Sequence, residues 1–129
     1  MAQPPSAFSY AVVRVVPDIE REEFVNAGLI LFCRPMRYLA ARARLDEAAL
    51  AALRSDCDVD GIREQLSLVE RIAAGDPQAG PIAALEQSKR FHWLTTPRST
   101  LVQPGPVHAG LTENPAATFE HLWGVLVAR

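Results

Sequence analysis

Apolar residues fall in two rhythms along this chain, and the switch between them separates strands from helices. From Phe8 to Val16 the residues are aromatic, β-branched or small and run into Pro17, which predicts a strand. Phe8, Tyr10, Val12, Arg14 and Val16 share one face of it, and Ala11, Val13 and Val15 the other. Asp18–Phe24 is acidic around Arg21 and reads as one helical turn or a loop. Ala27–Cys33 (AGLILFC) is apolar without interruption, the pattern of a strand covered on both faces. Asn26-Ala27-Gly28 at its start predicts a backbone bend or bulge, or a close approach by another chain segment. Arg34–Arg37 reads as a hairpin turn. Tyr38–Leu45 then alternates, with Leu39, Ala41, Ala43 and Leu45 inward and Arg42 and Arg44 outward.

The rhythm changes at Asp46, whose carboxylate can cap a helix while Leu45 and Leu50 staple its first turn. This helix runs to about Leu53 and buries Ala49, Leu50 and Leu53. A second is predicted from Asp58 or Asp60 to Ala74, with Val59, Ile62, Leu66, Val69 and Ile72 in one stripe. Gly75 stops it and Asp76-Pro77 turns the chain. Pro81 suits the first position of a short helix reaching about Ser88. The last helix takes Asn114 as cap and Pro115 as first residue, and sets Phe119, Leu122, Trp123 and Leu126 on one face. Between these helices lies a long polar, proline-punctuated segment, Arg90–Thr112. It offers at most a short edge strand over Ser99–Gln103, because Pro104 and Pro106 forbid a central one. Residues 1–7, with Pro4 and Pro5, read as a disordered lead-in to a single domain over 8–129. The expected class is α+β: a small, mostly antiparallel sheet of three or four strands packed against three or four helices.

Composition narrows the picture. Hydrophobic residues at 49% in 129 residues suit one soluble domain, burying roughly two-thirds of its unfolded surface. A net charge of -2 supplies no global attraction to nucleic acid or anionic membranes. All cations but Lys89 are arginine, whose planar fork suits carboxylates and phosphates. Abundant Ala and Pro make a GC-rich coding bias the simpler source. Cys33 and Cys57 have no CxxC or metal-ligand spacing; Cys33 belongs in the core, and a reducing cytoplasm fits both. No cation precedes Arg14, so no secretory signal is visible, and no apolar run approaches membrane-spanning length.

The candidate chemistry sits in the irregular segment. His92, His108 and His121 lack ligand spacing, so neither a metal nor a cofactor is expected, and His121 belongs on a solvated helix face. Ser99 and Thr100 are not framed by a nucleophile elbow or any other catalytic motif, and no catalytic residue is assigned. An anion site is better motivated: Arg98, Ser99 and Thr100 supply a fork and hydroxyls, with Arg90 and His92 nearby and His108 able to converge. Phe91 and Trp93 would floor it. The simpler reading makes both aromatics core residues and pairs Arg98 with Asp18 or Glu23. The acidic cluster Glu20, Glu22, Glu23 reads as a solvated face.

Two blocks, RVVPDIEREEFVNAGLILFCR (Arg14–Arg34) and FHWLTTPRSTLVQPGPVHAGL (Phe91–Leu111), resemble a bacterial family described only as domain of unknown function 3037. EFVNAG and PRSTLVQPGPVHAG carry the resemblance together. It implies small stand-alone cytoplasmic proteins, sometimes encoded beside HipA-like kinases, and directs attention to Asn26, Gly28, Arg98, Ser99 and His108. It carries over no activity, cofactor or catalytic set. The expected function is therefore a non-catalytic accessory or binding protein with a protein partner, such as a HipA-like kinase encoded nearby. The alternative is an enzyme or sensor that binds a phosphorylated or carboxylated small molecule through Arg90–Thr112, at Arg98, Ser99, His92, His108 and Asn26. Homodimerisation through a sheet edge or the proline-rich loop is a third possibility.

Overall fold

The apolar run of the second strand organises the fold. The structure is a computed structural model and describes residues 4–128. Its elements are β1 (Ser6–Asp18), β2 (Glu23–Cys33), β3 (Tyr38–Ala43), α1 (Glu47–Leu53), α2 (Val59–Ala74), α3 (Gln87–Thr95), β4 (Val102–Pro104), β5 (His108–Thr112) and α4 (Pro115–Leu126). Single 3₁₀ turns lie at Ile19–Arg21, Pro77–Ala79 and Pro81–Ala84. The sheet is antiparallel in the order β3-β2-β1, with β4 and β5 both on the outer edge of β1. The class is α+β. Of the lead-in expected over residues 1–7, residues 1–3 lie outside the described residues. Ser6 and Ala7 already belong to β1, paired with Thr112 and Leu111.

Alternation along β2 sends side chains into two cores. Ala27 and Ile30 join Val13 and Val15 of β1 beneath Leu50, Ile62, Leu66, Phe91 and Leu94 of α1, α2 and α3. Leu29, Leu31 and Cys33 join Phe8 against Phe119 of α4, with Leu122, Trp123 and Leu126 packed alongside. Leu29, Ile30 and Leu31 are completely inaccessible. The expected bulge is present: Val13 pairs with Gly28, but Arg14 pairs with Asn26, leaving Ala27 as the extra residue. It keeps Val25 opposite Val15 on the core side, where an uncorrected one-residue slip would turn it outward.

The cap signals of α1, α2 and α4 hold in detail. Asp46, Asp58 and Asn114 each accept an amide hydrogen bond three residues on, from Ala49, Gly61 and Ala117. Gly75 closes α2 in the left-handed region at φ 72°. An added Cβ there would fall 2.9 Å from Nη1 of Arg90, because that guanidinium lies against the helix end. Arg90 is buried and donates from Nη1 to the carbonyls of Ile72 and Ala73, at 3.1 and 2.9 Å. It thereby fastens α3 to the C-terminus of α2. On the opposite face, α4 is tied to β3 by Arg42, which donates to both Glu120 carboxylate oxygens at 2.9 and 2.7 Å. The same guanidinium lies 5.0 Å from the ring centres of Phe119 and Trp123.

Replacing Arg90 with Met is expected to lower the unfolding free energy by about 1–3 kcal/mol, because the Ala73 carbonyl loses its side-chain donor and the Ile72 carbonyl keeps only Gly75 N–H. Urea denaturation measures it; a loss below about 0.5 kcal/mol would mean that the contact contributes nothing. The Arg42 fork holds the Glu120 carboxyl below the usual glutamate range. A depressed folded-state pKa gives stability that is present at neutral pH and lost in acid. The melting-temperature advantage of the wild-type chain over Glu120→Gln should therefore be constant above pH ~5.5 and shrink as pH falls below about 4.3.

Candidate functional site

The segment expected to be irregular from Arg90 to Thr112 is largely regular. The helix expected to end near Ser88 is a 3₁₀ turn over Pro81–Ala84, and a separate helix, α3, then carries Gln87–Thr95. Arg90, Phe91, His92 and Trp93 are thus helical. Phe91 and Leu94, three residues apart, point into the core. Past α3 the chain crosses to the outer edge of β1 and pairs with it twice. A short edge strand is present but shifted from the expected Ser99–Gln103 to Val102–Pro104 as β4, and β5 is a further strand that the prolines had concealed.

This topology separates the two imidazoles. His92 is exposed on α3, in the helical layer that covers Val13 and Ile30. His108 begins β5 opposite Tyr10, and its ring packs 5.3 Å from that tyrosine, on the sheet face that α4 covers. The convergence of His92 and His108 with Arg98 is not present, because a sheet lies between them. Arg98 donates from Nη2 to Trp93 O at 2.7 Å and from Nε to Thr96 O at 3.3 Å. Its guanidinium stacks 4.7 Å from the Trp93 ring centre. It closes the C-terminal end of α3, where a cation is favourable. Among the described residues it pairs with no carboxylate, so the expected partnership with Asp18 or Glu23 is absent too; Glu23 pairs with Arg21.

Ser99 and Asn26 belong to a different constellation. Arg14, in the middle of β1, has Asn26 of β2 and Gln103 of β4 as its cross-strand partners. The three form a polar row on the face that α4 covers only as far as its last turn, where Asn26 Nδ2 donates to Leu126 O at 3.1 Å. Beyond lies an open groove of about 350 Å³ lined by Arg14, Val16, Ile19, Glu22, Phe24, Ser99 and Gln103. Arg14 stacks 4.1 Å over Phe24. Its Nε is buried without a hydrogen-bond partner. A lone arginine inside the apolar strand YAVVRVV was the visible signal for this row. Its grouping with Phe24 and Gln103 depends on strand pairings and the bulge, which the sequence pattern does not reveal.

A second feature is the free edge of β5. Leu111 is 70% exposed and Val107 49%, and no charged residue occurs from Pro106 to Thr112. Sheet edges are ordinarily protected by charges, prolines or covering segments, and here only Pro106 borders the strand.

The chain belongs to the family described as "Protein of unknown function (DUF3037)", which matches residues 10–127. No curated protein and no solved structure matches it. Among the described residues no helix is long and apolar enough to cross a membrane, and no three His, Cys, Asp or Glu side chains meet to hold a metal ion.

The position of Arg98 makes a prediction that a ligand-binding role does not share. Arg98→Lys keeps the charge but loses the fork that spans two carbonyls, so stability should fall by about 0.5–1.5 kcal/mol without any ligand present. Unchanged stability in chemical denaturation would return Arg98 to the list of ligand donors.

Proposed function

We propose that this family member is a non-catalytic accessory protein that binds a protein partner by strand addition at the outer edge of β5. The observation that carries this reading is the outer edge of His108–Thr112, which has no partner strand among the described residues and carries no Asp, Glu, Lys or Arg, with Leu111 exposed on it. Each amide and carbonyl on that side is a ready hydrogen-bonding group, and a partner strand in register would satisfy the row. Leu111 and Ala109 lie on one side of the strand, opposite Ala7 and Ser9 of β1, and offer a small apolar strip for the partner's alternate side chains. The neighbouring turn is anchored: Gly105 N donates to Val12 O at 2.7 Å, which keeps the edge in one conformation before binding. A reducing cytoplasm suits the two free thiols.

The HipA-like kinase indicated by the family resemblance is the first partner to test. The full chain mixed with that kinase should co-elute in size-exclusion chromatography with light scattering. Leu111→Arg places a charge on the edge and should weaken the complex at least about tenfold. Because Leu111 is a surface residue, the variant should retain its own stability to within about 0.5 kcal/mol. Absence of a complex with the kinase, together with no protein cross-linked to β5 in native cells, would remove the reading. A complex indifferent to Leu111→Arg would place the interface elsewhere, and concentration-dependent dimerisation of the chain alone would identify the partner strand as a second copy.

A further inference from the structure

We propose that the open groove over Arg14 binds a small organic monoanion: a carboxylate carried on an apolar or aromatic body. This site uses residues other than those of the β5 edge and lies toward the other end of β1, so either can fail without the other.

The argument starts from an unsatisfied cation. Arg42, Arg54, Arg63, Arg71, Arg90 and Arg98 all donate to a carboxylate or a carbonyl. Arg34, Arg37 and Arg44 lack such partners but are exposed to water. Arg14 is the exception: partly buried in the sheet, it has no acceptor among the described residues, and although its Nε, like that of Arg90, is closed off, its terminal nitrogens face solvent. A half-buried guanidinium whose terminal nitrogens meet only water presents a two-pronged edge to an acceptor brought from outside.

The surrounding chain holds the guanidinium in place. Gly105 lies against the guanidinium, and a Cβ there would sit 3.1 Å from Nε and 3.2 Å from Cζ of Arg14. On the other side Phe24 supports the guanidinium by its ring face, which leaves the hydrogen-bonding edge available. The amide nitrogens of Asn26 and Gln103 each give one N–H, to Leu126 O and to Thr100 O. Arg14, the exposed Ser99 hydroxyl and the second amide N–H of Gln103 are the side-chain donors at the groove.

Charge and polarity fix the class. Arg14 is the single cation among the lining residues and Glu22 the single carboxylate, so the groove has no surplus of positive charge. A doubly charged phosphate would lack a second cation, whereas one carboxylate matches one guanidinium in a two-pronged pair. The remaining wall is apolar, formed by Val16, Ile19 and Phe24. Ile19 and Phe24 are 48% and 42% exposed, and an apolar ligand body would cover them. A groove of about 350 Å³ lies within the range of roughly 300–1,000 Å³ usual for small-molecule sites.

Titration of the full-length ¹⁵N-labelled chain tests the proposal, with phenylacetate, its neutral isostere phenylacetamide and inorganic phosphate as probes. Phenylacetate should shift the Arg14 Nε–H resonance and the Phe24 and Gln103 amides saturably. Phenylacetamide and phosphate should each bind at least about tenfold more weakly. Arg14→Gln should abolish saturation, Phe24→Ala should weaken it several-fold, and Glu22→Gln should strengthen it by removing the competing carboxylate. Should Arg14→Gln fail to fold, the Phe24→Ala variant and the phenylacetamide comparison still decide. Equal affinity for the acid and the amide, phosphate binding tighter than phenylacetate, or no saturable shift in the tens-of-millimolar range would each overturn it.

Discussion

Burial of β2 on both faces is the constraint from which the architecture follows. Leu29, Ile30 and Leu31 are wholly inaccessible, and sequestering each side chain contributes roughly 1.5–3 kcal/mol. Successive residues point to opposite sides of a strand, so no single helical layer can cover all three. The chain must therefore supply helices to both faces. The helices α1, α2 and α3 cover Ile30, and α4 covers Leu29 and Leu31. The segment joining α3 to α4 has to pass from one layer to the other around an edge of the sheet, and it does so along β1, forming β4 and β5 on the way.

That passage explains the placement of every candidate side chain. Arg98 remains on the side it came from, bound to the carbonyls that end α3. His108 emerges on the other, against Tyr10. Ser99 and Gln103 are carried past the end of α4, where Arg14 faces open space. The long β1 strand thus offers two separate features: at Ser6–Tyr10 a neighbour strand, β5, whose outer edge has no partner among the described residues, and at Arg14 a guanidinium without an acceptor among them. Gly105 joins them, since it both interrupts the edge strand and leaves room for Arg14.

Much of this was legible in the residues themselves. The AGLILFC run announced a doubly covered strand, Asn26-Ala27-Gly28 announced the bulge, and Asp46, Asp58 and Asn114 marked helix starts through short-range capping. These signals are local, so periodicity and cap chemistry suffice to read them. The failures were non-local. Arg90–Thr95 looked like polar loop because Arg90, His92, Thr95 and Thr96 mask a helix whose buried apolar positions are only Phe91 and Leu94. Arg90 itself is polar in composition but buried by its bond to the end of α2, an acceptor eighteen residues away along the chain. The strand β5 hid behind Pro104 and Pro106, which proved compatible with an edge. Grouping Asn26 and Ser99 with Arg14 required knowing which strands are neighbours.

Residue-resolved hydrogen exchange on the free chain measures the central claim most directly. A strand covered on both faces beside a free outer edge predicts that the amides of Leu29, Ile30 and Leu31 exchange only through global unfolding. Within His108–Thr112, amides that alternate along the strand should exchange orders of magnitude faster, since they point away from β1 into water. Uniform protection across β5, or exchange of the β2 amides by local opening well below the global unfolding free energy, would contradict the account.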